Sequence, residues 1–165
     1  MIKRSLESLL VERFAARKAL IVLGPRQIGK TTLVKGLATH LKEGSSLYLN
    51  GDDATTRAIL SDANLAELRR IIGTATMVII DEAQRIRNAG LFLKQITDNL
   101  PEIQLIVTGS SALDLASEVN EPLTGRKLEY HMYPVSWLEL VDYQGYLPAV
   151  QTLEQRLIYG MYPEI

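Results

Sequence analysis

Cysteine is absent from this chain of 165 residues, and histidine occurs only twice, at His40 and His131. Without thiols the chain has no disulfide, no thiolate zinc site and no cysteine nucleophile. Neither histidine stands beside an acidic partner motif, which argues against a histidine-rich metal centre and against a Ser-His-Asp triad. Because a chain without cysteine suits a reducing compartment, we expect a cytoplasmic protein.

Long apolar runs and an imbalance of charge are also missing. No run approaches the ~18 consecutive apolar residues that a membrane-spanning helix needs, so we expect no membrane partner. Lys and Arg number 18 against 19 Asp and Glu, which gives a formal net charge of −1. Non-specific nucleic-acid binding depends on a basic field, so the charge does not support DNA as a partner, although a local DNA contact stays open.

Short apolar runs rich in leucine or β-branched residues alternate with longer stretches of helical character. The runs lie at residues 19–24, 46–50, 77–81, 104–109 and 127–133. Near-continuous apolar strands separated by helices are typical of a parallel sheet that is covered on both faces. The sequence therefore predicts an α/β protein, and sheets of this kind bind ligands at the carboxyl ends of their strands.

The stretch GPRQIGKTT, residues 24–32, joins the first predicted strand to a predicted helix. Its pattern G-x-x-x-x-G-K-T is typical of a phosphate-binding loop, the Walker A motif, and we call residues 24–29 the glycine loop. The glycines let successive backbone N–H groups point at phosphate oxygens, and the helix N-terminus adds partial positive charge. A turn that only joins strand to helix is the alternative. The residues predicted to contact nucleotide are Gly24, Pro25, Arg26, Gln27, Ile28, Gly29, Lys30, Thr31 and Thr32.

Two residues of this motif have specific expected roles. Lys30 would neutralise the β- and γ-phosphates of ATP, and the Thr31 hydroxyl would bind Mg²⁺. Arg26 and Gln27 occupy unspecified positions of the pattern, so phosphate contact and plain solvent exposure both remain open for them. The chain contains no N-K-x-D motif of the kind that reads guanine, which favours ATP over GTP.

An acidic pair follows the third apolar run, in MVIIDEAQ at residues 77–84. Residues 77–82 match the Walker B pattern, in which Asp81 would hold Mg²⁺, usually through a water, and Glu82 would act as general base toward the attacking water. An aspartate at such a place is also a common helix N-cap, so the pair alone is weak evidence. Together with the glycine loop it predicts Mg²⁺-dependent ATP hydrolysis.

A glutamate directly after the aspartate is typical of the P-loop class that inserts one strand between the glycine-loop strand and the acidic strand. This predicts a three-layer sandwich, in which a five-stranded parallel sheet of order 5-1-4-3-2 has helices on both faces. The inserted strand is QLIVTGSSA, whose tip would place Thr108, Ser110 and Ser111 beside the γ-phosphate. There they would sense the nucleotide or orient water, or alternatively cap the next helix. Asp52 and Asp53 follow the second strand, where they would approach the nucleotide or cap a helix.

Five segments together resemble the AAA-type ATP-binding proteins of bacteria and archaea. They are GPRQIGKTTL at 24–33, IIDEAQ at 79–84, VTGSSALDL at 107–115, PLTGR at 122–126 and YPVSWLEL at 133–140. The resemblance covers nearly the whole chain and implies a P-loop ATPase domain that uses ATP and Mg²⁺. It implies the nucleotide, metal and general-base roles already described, together with a sensing role for the tip that begins at Thr108.

The resemblance also implies a catalytic role for Arg126, beside Lys30, Glu82 and Thr108. Arg126 would reach the γ-phosphate of its own site or, as an arginine finger, that of a neighbouring copy, so a homo-oligomer is one implied partner. The alternative for Arg126 is a surface salt bridge.

The resembling proteins continue into a C-terminal domain through a segment much like YGMYPEI, residues 159–165. We therefore expect residues 1–150 to form the P-loop AAA-type ATPase domain, and 151–165 to be the start of a truncated C-terminal segment whose missing domain is another implied partner. Two functions stay open: an ATPase, and a nucleotide-binding switch or DNA-associated module with negligible turnover. Glu82 favours the first, and the absence of the C-terminal domain favours the second.

Overall fold

A computed structural model of the chain describes residues 2–41, 44–110 and 121–164. The strands in these ranges are β1 (Ala19–Leu23), β2 (Ser46–Asn50), β3 (Met77–Asp81), β4 (Gln104–Gly109) and β5 (Lys127–His131). The α-helices are α1 (Ser5–Glu12), α2 (Lys30–Leu37), α3 (Ala54–Leu60), α4 (Leu65–Ile72), α5 (Ala89–Asn99), α6 (Trp137–Gln144) and α7 (Tyr146–Tyr159). Short 3₁₀ turns occur at Phe14–Ala16, Ala38–His40 and Ala83–Arg85.

The strands form one parallel sheet in the order β2-β3-β4-β1-β5. Read from the other edge this is 5-1-4-3-2, so the predicted strand order and α/β class are confirmed. The register brings Leu23 opposite both Gly109 and His131, and Asn50 opposite Asp81. The carboxyl ends of the parallel strands therefore lie on the same side of the sheet. The glycine loop and the acidic pair both emerge at these strand ends.

Side chains that alternate along the strands build a core on each face of the sheet. Ile21, Ile80 and Val107 pack with α4 and α5 on one face. On the other face, residues such as Leu20, Ile79 and Ile106 pack with α1 and α2. Successive strand side chains point to opposite faces, which is why strands covered on both sides need near-continuous apolar sequence. Helices lie on both faces, as the sequence predicted.

Side-chain caps fix where several helices begin. The Asp53 carboxylate accepts a 2.9 Å hydrogen bond from the Thr56 backbone N–H and so caps α3, which is one of the two interpretations left open for that residue. Ser136 and Glu139 form a capping box at the start of α6. Caps of this kind satisfy N–H groups that have no partner within the helix.

The C-terminal helices pack as a pair beside the N-terminal residues. Val135, Leu140 and Ala149 form a small core with partly buried neighbours that include Ile2 and Met161. Helix α7 runs through residue 150, the expected boundary of the ATPase domain, so that boundary falls inside a helix. The division of the chain into two parts stays a prediction. No helix in the described part of the chain is both long and apolar enough to cross a membrane.

Candidate functional site

The glycine loop turns the chain from the end of β1 into the start of α2. A Cβ on Gly24 would overlap the backbone carbonyl oxygen of Met132, because the loop passes directly against the chain that leaves β5. Gly29 has φ +93° and stands as the N-cap of α2, in the left-handed region that favours glycine. Both glycines of the motif are therefore required by the backbone itself, one by close approach and one by its φ angle.

Lys30 is only 4% exposed, and its side chain folds back onto its own loop. The Nζ atom donates hydrogen bonds of 2.9 Å to the Gly24 carbonyl and 2.8 Å to the Pro25 carbonyl. Burial lowers the pKa of Lys30, and the nearby carboxylates of Glu82 and Asp81 oppose that shift. The ammonium group is thus held at the inner side of the loop by carbonyl groups and two nearby acids.

Asp81 is the centre of a cluster of hydroxyl groups at the end of β3. Its Oδ2 atom accepts hydrogen bonds of 2.6 Å from Thr31 Oγ1 and 2.6 Å from the Tyr48 hydroxyl. Its Oδ1 atom accepts a short hydrogen bond from Thr108 Oγ1. Asp81 is only 2% exposed, so few water molecules can reach its carboxylate. The three hydroxyl groups supply the hydrogen bonds that water would otherwise provide. The two residues predicted to bind Mg²⁺, Thr31 and Asp81, are in direct contact.

Tyr48 on β2 was missed by the sequence reasoning. Burial, followed by the hydrogen bond to Asp81, raises the pKa of the Tyr48 hydroxyl above its usual range, so the hydroxyl keeps its proton and serves as a donor. The ammonium of Lys35 lies 4.3 Å from the centre of the Tyr48 ring. A lone tyrosine in SLYLN is typical of a strand core, and nothing near it in sequence connects it to Asp81.

The placement of Thr108 beside the γ-phosphate stays a prediction. Thr108 is fully buried behind the acidic pair and does not line the cavity described below. Its hydroxyl donates to Asp81 and accepts a 3.1 Å hydrogen bond from the backbone N–H of Glu82. The register of β4 beside β3 pairs Val107 with Ile80, so Thr108 and Asp81 follow side by side at the ends of their strands. Ser111 lies outside the described residues.

Glu82 adopts a left-handed backbone conformation, with φ +52° and ψ +44°. Such a conformation costs energy in a residue with a side chain and is frequent at functional sites. Its carboxylate accepts a 2.6 Å hydrogen bond from Gln84 Nε2 and lies 3.9 Å from Lys30 Nζ. Gln84 also donates a 2.8 Å hydrogen bond to the Ser110 hydroxyl. Ser110 therefore reaches the acidic pair through Gln84.

A cavity of about 600 Å³ opens at this edge of the sheet. One wall comes from the predicted nucleotide-binding motif, namely Arg26, Gln27, Gly29, Lys30, Thr31 and Thr32. A second wall comes from Glu82, Arg85 and Asp52. Gly24, Pro25 and Ile28 are not part of the lining, and the Ile28 side chain is fully buried in the core beside α2. Most of the predicted contact residues thus share one cavity with the predicted general base.

Arg4 anchors the glycine loop from behind and was also missed. Its guanidinium donates a 2.7 Å hydrogen bond to the Ile28 carbonyl and a 3.2 Å hydrogen bond to Glu139. In a trans peptide the C=O and N–H point in opposite directions, so the N–H of Gly29 points away from Arg4. The contact therefore sets the direction of one backbone donor in the loop.

Arg126 lies at the amino ends of the strands, whereas the glycine loop lies at their carboxyl ends. It immediately precedes β5, and its carbonyl accepts a hydrogen bond from the N–H of Ala19, the first residue of β1. Its guanidinium pairs with Asp98 near the end of α5, and its side chain is 47% exposed. The length of the strands separates Arg126 from the cavity of its own chain, so the structure does not bring it together with the other predicted catalytic residues.

A family model described as an AAA domain matches residues 16–141. The chain belongs to this AAA domain family. The match includes the glycine loop, the acidic pair and Arg126, and it confirms the resemblance to AAA-type proteins that these motifs carry.

Curated relatives of this AAA domain are longer proteins. An uncharacterized protein of Methanocaldococcus jannaschii is 26% identical over 180 aligned positions, which cover 100% of this chain and 39% of that protein. Uncharacterized proteins of Mycobacterium bovis and Mycobacterium tuberculosis are each 35% identical over 117 positions, which cover 69% of this chain and 25% of theirs. This AAA domain thus spans 39% or less of the length of these relatives.

Proposed function

We propose that this AAA domain binds ATP with Mg²⁺ in the cavity beside the glycine loop and hydrolyses it. The observation that carries the proposal is the 2.6 Å contact between Thr31 Oγ1 and Asp81 Oδ2, which joins the helix after the glycine loop to the acidic strand. A chance glycine-rich turn would have no reason to place its threonine against a buried carboxylate. The cavity of about 600 Å³ has room for a nucleotide.

The glycine loop and Lys30 would hold the phosphates. Backbone N–H groups of the loop and the N-terminus of α2 favour anions. Lys30 Nζ donates to the Gly24 and Pro25 carbonyls and would exchange them for phosphate oxygens on binding. A carbonyl carries only a partial charge, so a phosphate oxygen is the stronger acceptor for an ammonium group.

Thr31 and Asp81 are suited to magnesium. Both offer hard oxygen ligands, and Mg²⁺ in nucleotide sites is usually held by one or two protein groups together with phosphates and waters. When bound, the ion would neutralise charge on the phosphates. Tyr48 and Thr108 donate hydrogen bonds to Asp81, and these would hold its carboxylate in place beside Thr31.

Glu82 would be the general base that orients the attacking water. It lines the cavity, and its strained backbone directs its side chain toward Lys30. Its carboxylate is engaged by Gln84, so this hydrogen bond must weaken for Glu82 to accept a proton from water.

The same contact favours the second candidate, a nucleotide-binding switch with negligible turnover. If the Gln84 hydrogen bond persists in the nucleotide-bound protein, Glu82 stays unavailable as a base, and binding alone would carry the function. No described feature favours a DNA-associated role, and the net charge of −1 offers no basic field.

Comparison of the parent protein with Glu82→Gln tests the proposal. Glutamine keeps the shape of the side chain but removes its basicity, so ATP affinity with Mg²⁺ should stay within about twofold while phosphate release falls by about a hundredfold. Calorimetry measures the first quantity, and steady-state phosphate release, with and without DNA, measures the second. A parent protein that binds ATP but releases no phosphate above background would establish the switch instead.

Arg126 is proposed to act in trans, on the nucleotide of a second copy. Its half-exposed position outside its own cavity suits a finger that reaches a neighbour. Turnover per site should then rise with protein concentration, and Arg126→Ala should abolish that rise. If specific activity is flat across concentration and unchanged in Arg126→Ala, the Asp98 pair is a surface salt bridge only.

A further inference from the structure

Arg85 places a guanidinium group in the same cavity as the glycine loop. Its side chain lines that cavity with Glu82 and Asp52. It reaches this position because Glu82 turns the chain sharply and Ala83–Arg85 form a single 3₁₀ turn, closed by a 3.0 Å hydrogen bond from the Arg85 N–H to the Glu82 carbonyl. This turn brings Arg85, three positions beyond the acidic pair, to the cavity.

The partner of Arg85 is a weak one. Arg85 Nε lies 3.5 Å from Asp52 Oδ1, and the two side chains are 47% and 59% exposed. An ion pair at this distance and exposure contributes little, since water solvates both groups. The backbone N–H and carbonyl of Asp52 are hydrogen-bonded to the side chains of Asn50 and Arg57. Among the described residues the Arg85 side chain has no polar partner other than Asp52. The guanidinium is therefore free to exchange a carboxylate for a stronger acceptor.

We propose that Arg85 binds the terminal phosphate of a nucleoside triphosphate in this cavity, in exchange for Asp52. This inference rests on the proposed function, because it assumes that the cavity holds ATP. Lys30 lies at the inner side of the loop and Arg85 lies on the wall of Glu82, where the terminal phosphate and the attacking water belong. A planar guanidinium matches two phosphate oxygens at once.

The other charged groups around the cavity support separate roles for Lys30 on the loop side and Arg85 at the terminal phosphate. Arg26 and Lys30 are the cations on the glycine-loop wall, and Glu164 lies with the C-terminal residues. On the other side, Arg85 lines the cavity together with two carboxylates, those of Glu82 and Asp52. A terminal phosphate placed there without Arg85 would meet only negative charge from that wall.

Arg87 offers a matched control. It lies two residues further along, pairs with Asp62 at 2.6 Å, and both side chains are largely exposed. It does not line the cavity. Arg87→Ala therefore removes the same charge from the same segment without removing a group from the site.

The decisive measurement is the ratio of ATP to ADP affinity in Arg85→Ala and Arg87→Ala. Both are made in the Glu82→Gln background, which prevents hydrolysis during calorimetry. Loss of a charge-assisted contact to the terminal phosphate should weaken ATP binding by about tenfold to a hundredfold. ADP affinity should change by less than about twofold, since ADP lacks that phosphate, and Arg87→Ala should match the parent for both nucleotides. Arg85→Gln repeats the test if Arg85→Ala does not fold.

A double-mutant cycle with Asp52→Asn tests the exchange. Removing the competing carboxylate should tighten ATP binding when Arg85 is present, and the gain should shrink when Arg85 is alanine. Equal gains in both backgrounds would overturn the exchange.

Failure of this inference differs from failure of the proposed function. If Arg85→Ala binds ATP as tightly as its parent, or loses ATP and ADP equally, Arg85 does not contact the terminal phosphate, while ATP binding by the cavity stands. If the Glu82→Gln background and the unsubstituted protein bind neither nucleotide, both proposals fall together.

Discussion

Thr31 and Asp81 are 50 residues apart in the chain, yet a 2.6 Å hydrogen bond joins Thr31 Oγ1 to Asp81 Oδ2. Thr31 lies in the first turn of α2, and Asp81 ends β3. The contact exists because β3 and β1 are separated only by β4, so their carboxyl ends lie on the same edge of the sheet. The two residues proposed to bind Mg²⁺ are thereby brought into direct contact.

Asp81→Asn should uncouple nucleotide binding from Mg²⁺. The neutral amide keeps the shape but is a poor ligand for a hard cation. We expect Mg²⁺ to strengthen ATP binding in the parent and to have little effect in the variant, as measured by calorimetry with Mg²⁺ or with EDTA. Asp62→Asn, which changes a carboxylate paired with Arg87 outside the cavity, should behave like the parent. A full Mg²⁺ effect in Asp81→Asn would remove Asp81 from the metal site.

Lys30→Ala should weaken ATP and ADP binding together, by about a hundredfold or more, because the loop would lose its buried ammonium group. The exposed Lys94 on α5 provides the control, since Lys94→Ala removes the same charge far from the loop. Circular dichroism establishes that both variants are folded. Unchanged nucleotide affinity in a folded Lys30→Ala protein would contradict the phosphate-binding assignment of the glycine loop.

Two glycines of the same region should respond oppositely to alanine. At Gly24 a Cβ would overlap the Met132 carbonyl, so Gly24→Ala should cost about 1–3 kcal/mol of unfolding free energy and impair nucleotide binding. At Gly36, within α2, a Cβ would meet no atom within 4 Å. Gly36→Ala should therefore stabilise the protein by roughly 0.5–1 kcal/mol. Denaturant unfolding measures both, and equal effects at the two positions would mean that the close approach at Gly24 does not matter.

Glu139 should make stability depend on pH. Burial alone would raise the pKa of its carboxyl group, but hydrogen bonds from the backbone N–H groups of Ser136 and Ser5, with the Arg4 guanidinium, hold the pKa below its usual range. A lowered pKa in the folded state adds stability above the unfolded value of about 4.3, and this contribution is lost as the pH falls through the folded value.

We therefore expect Glu139→Gln to lower the unfolding free energy by about 1–3 kcal/mol at pH 7, with the difference from the parent shrinking below about pH 4. Denaturant unfolding across this range measures the difference, and exposed Glu154→Gln on α7 should show almost none at any pH. A difference that stays constant down to pH 3 would mean that the charge of Glu139 is not what stabilises the fold.

Local patterns in the chain were enough for the fold class, the strand order and the two motifs. Near-continuous apolar runs require a sheet covered on both faces, and the glycine loop follows its strand directly in sequence. The glutamate after Asp81 placed β4 between β3 and β1, which the structure bears out. Each of these inferences depends on neighbours along the chain, where residue type and spacing carry the information.

Positions that depend on contacts between strands could not be predicted in this way. The hydrogen bond from Thr108 to Asp81 depends on β4 lying beside β3, and no local pattern announces it. Tyr48 on β2 reaches the same carboxylate only because β2 pairs with β3. Arg126 ends the PLTGR segment, for which the family resemblance implies a catalytic arginine, yet it precedes β5 and therefore lies at the opposite end of the strands from the cavity.

The sequence by itself determined which chemical groups are present and which strand ends carry them, because backbone preferences and apolar periodicity act over a few residues. The tertiary structure alone decided which of those groups meet. Arg85 enters the cavity through one strained residue, and Arg4 meets the Ile28 carbonyl across 24 positions of sequence. The physical reason is that side-chain direction at a strand end or a tight turn depends on packing against distant elements, and no short pattern encodes that packing.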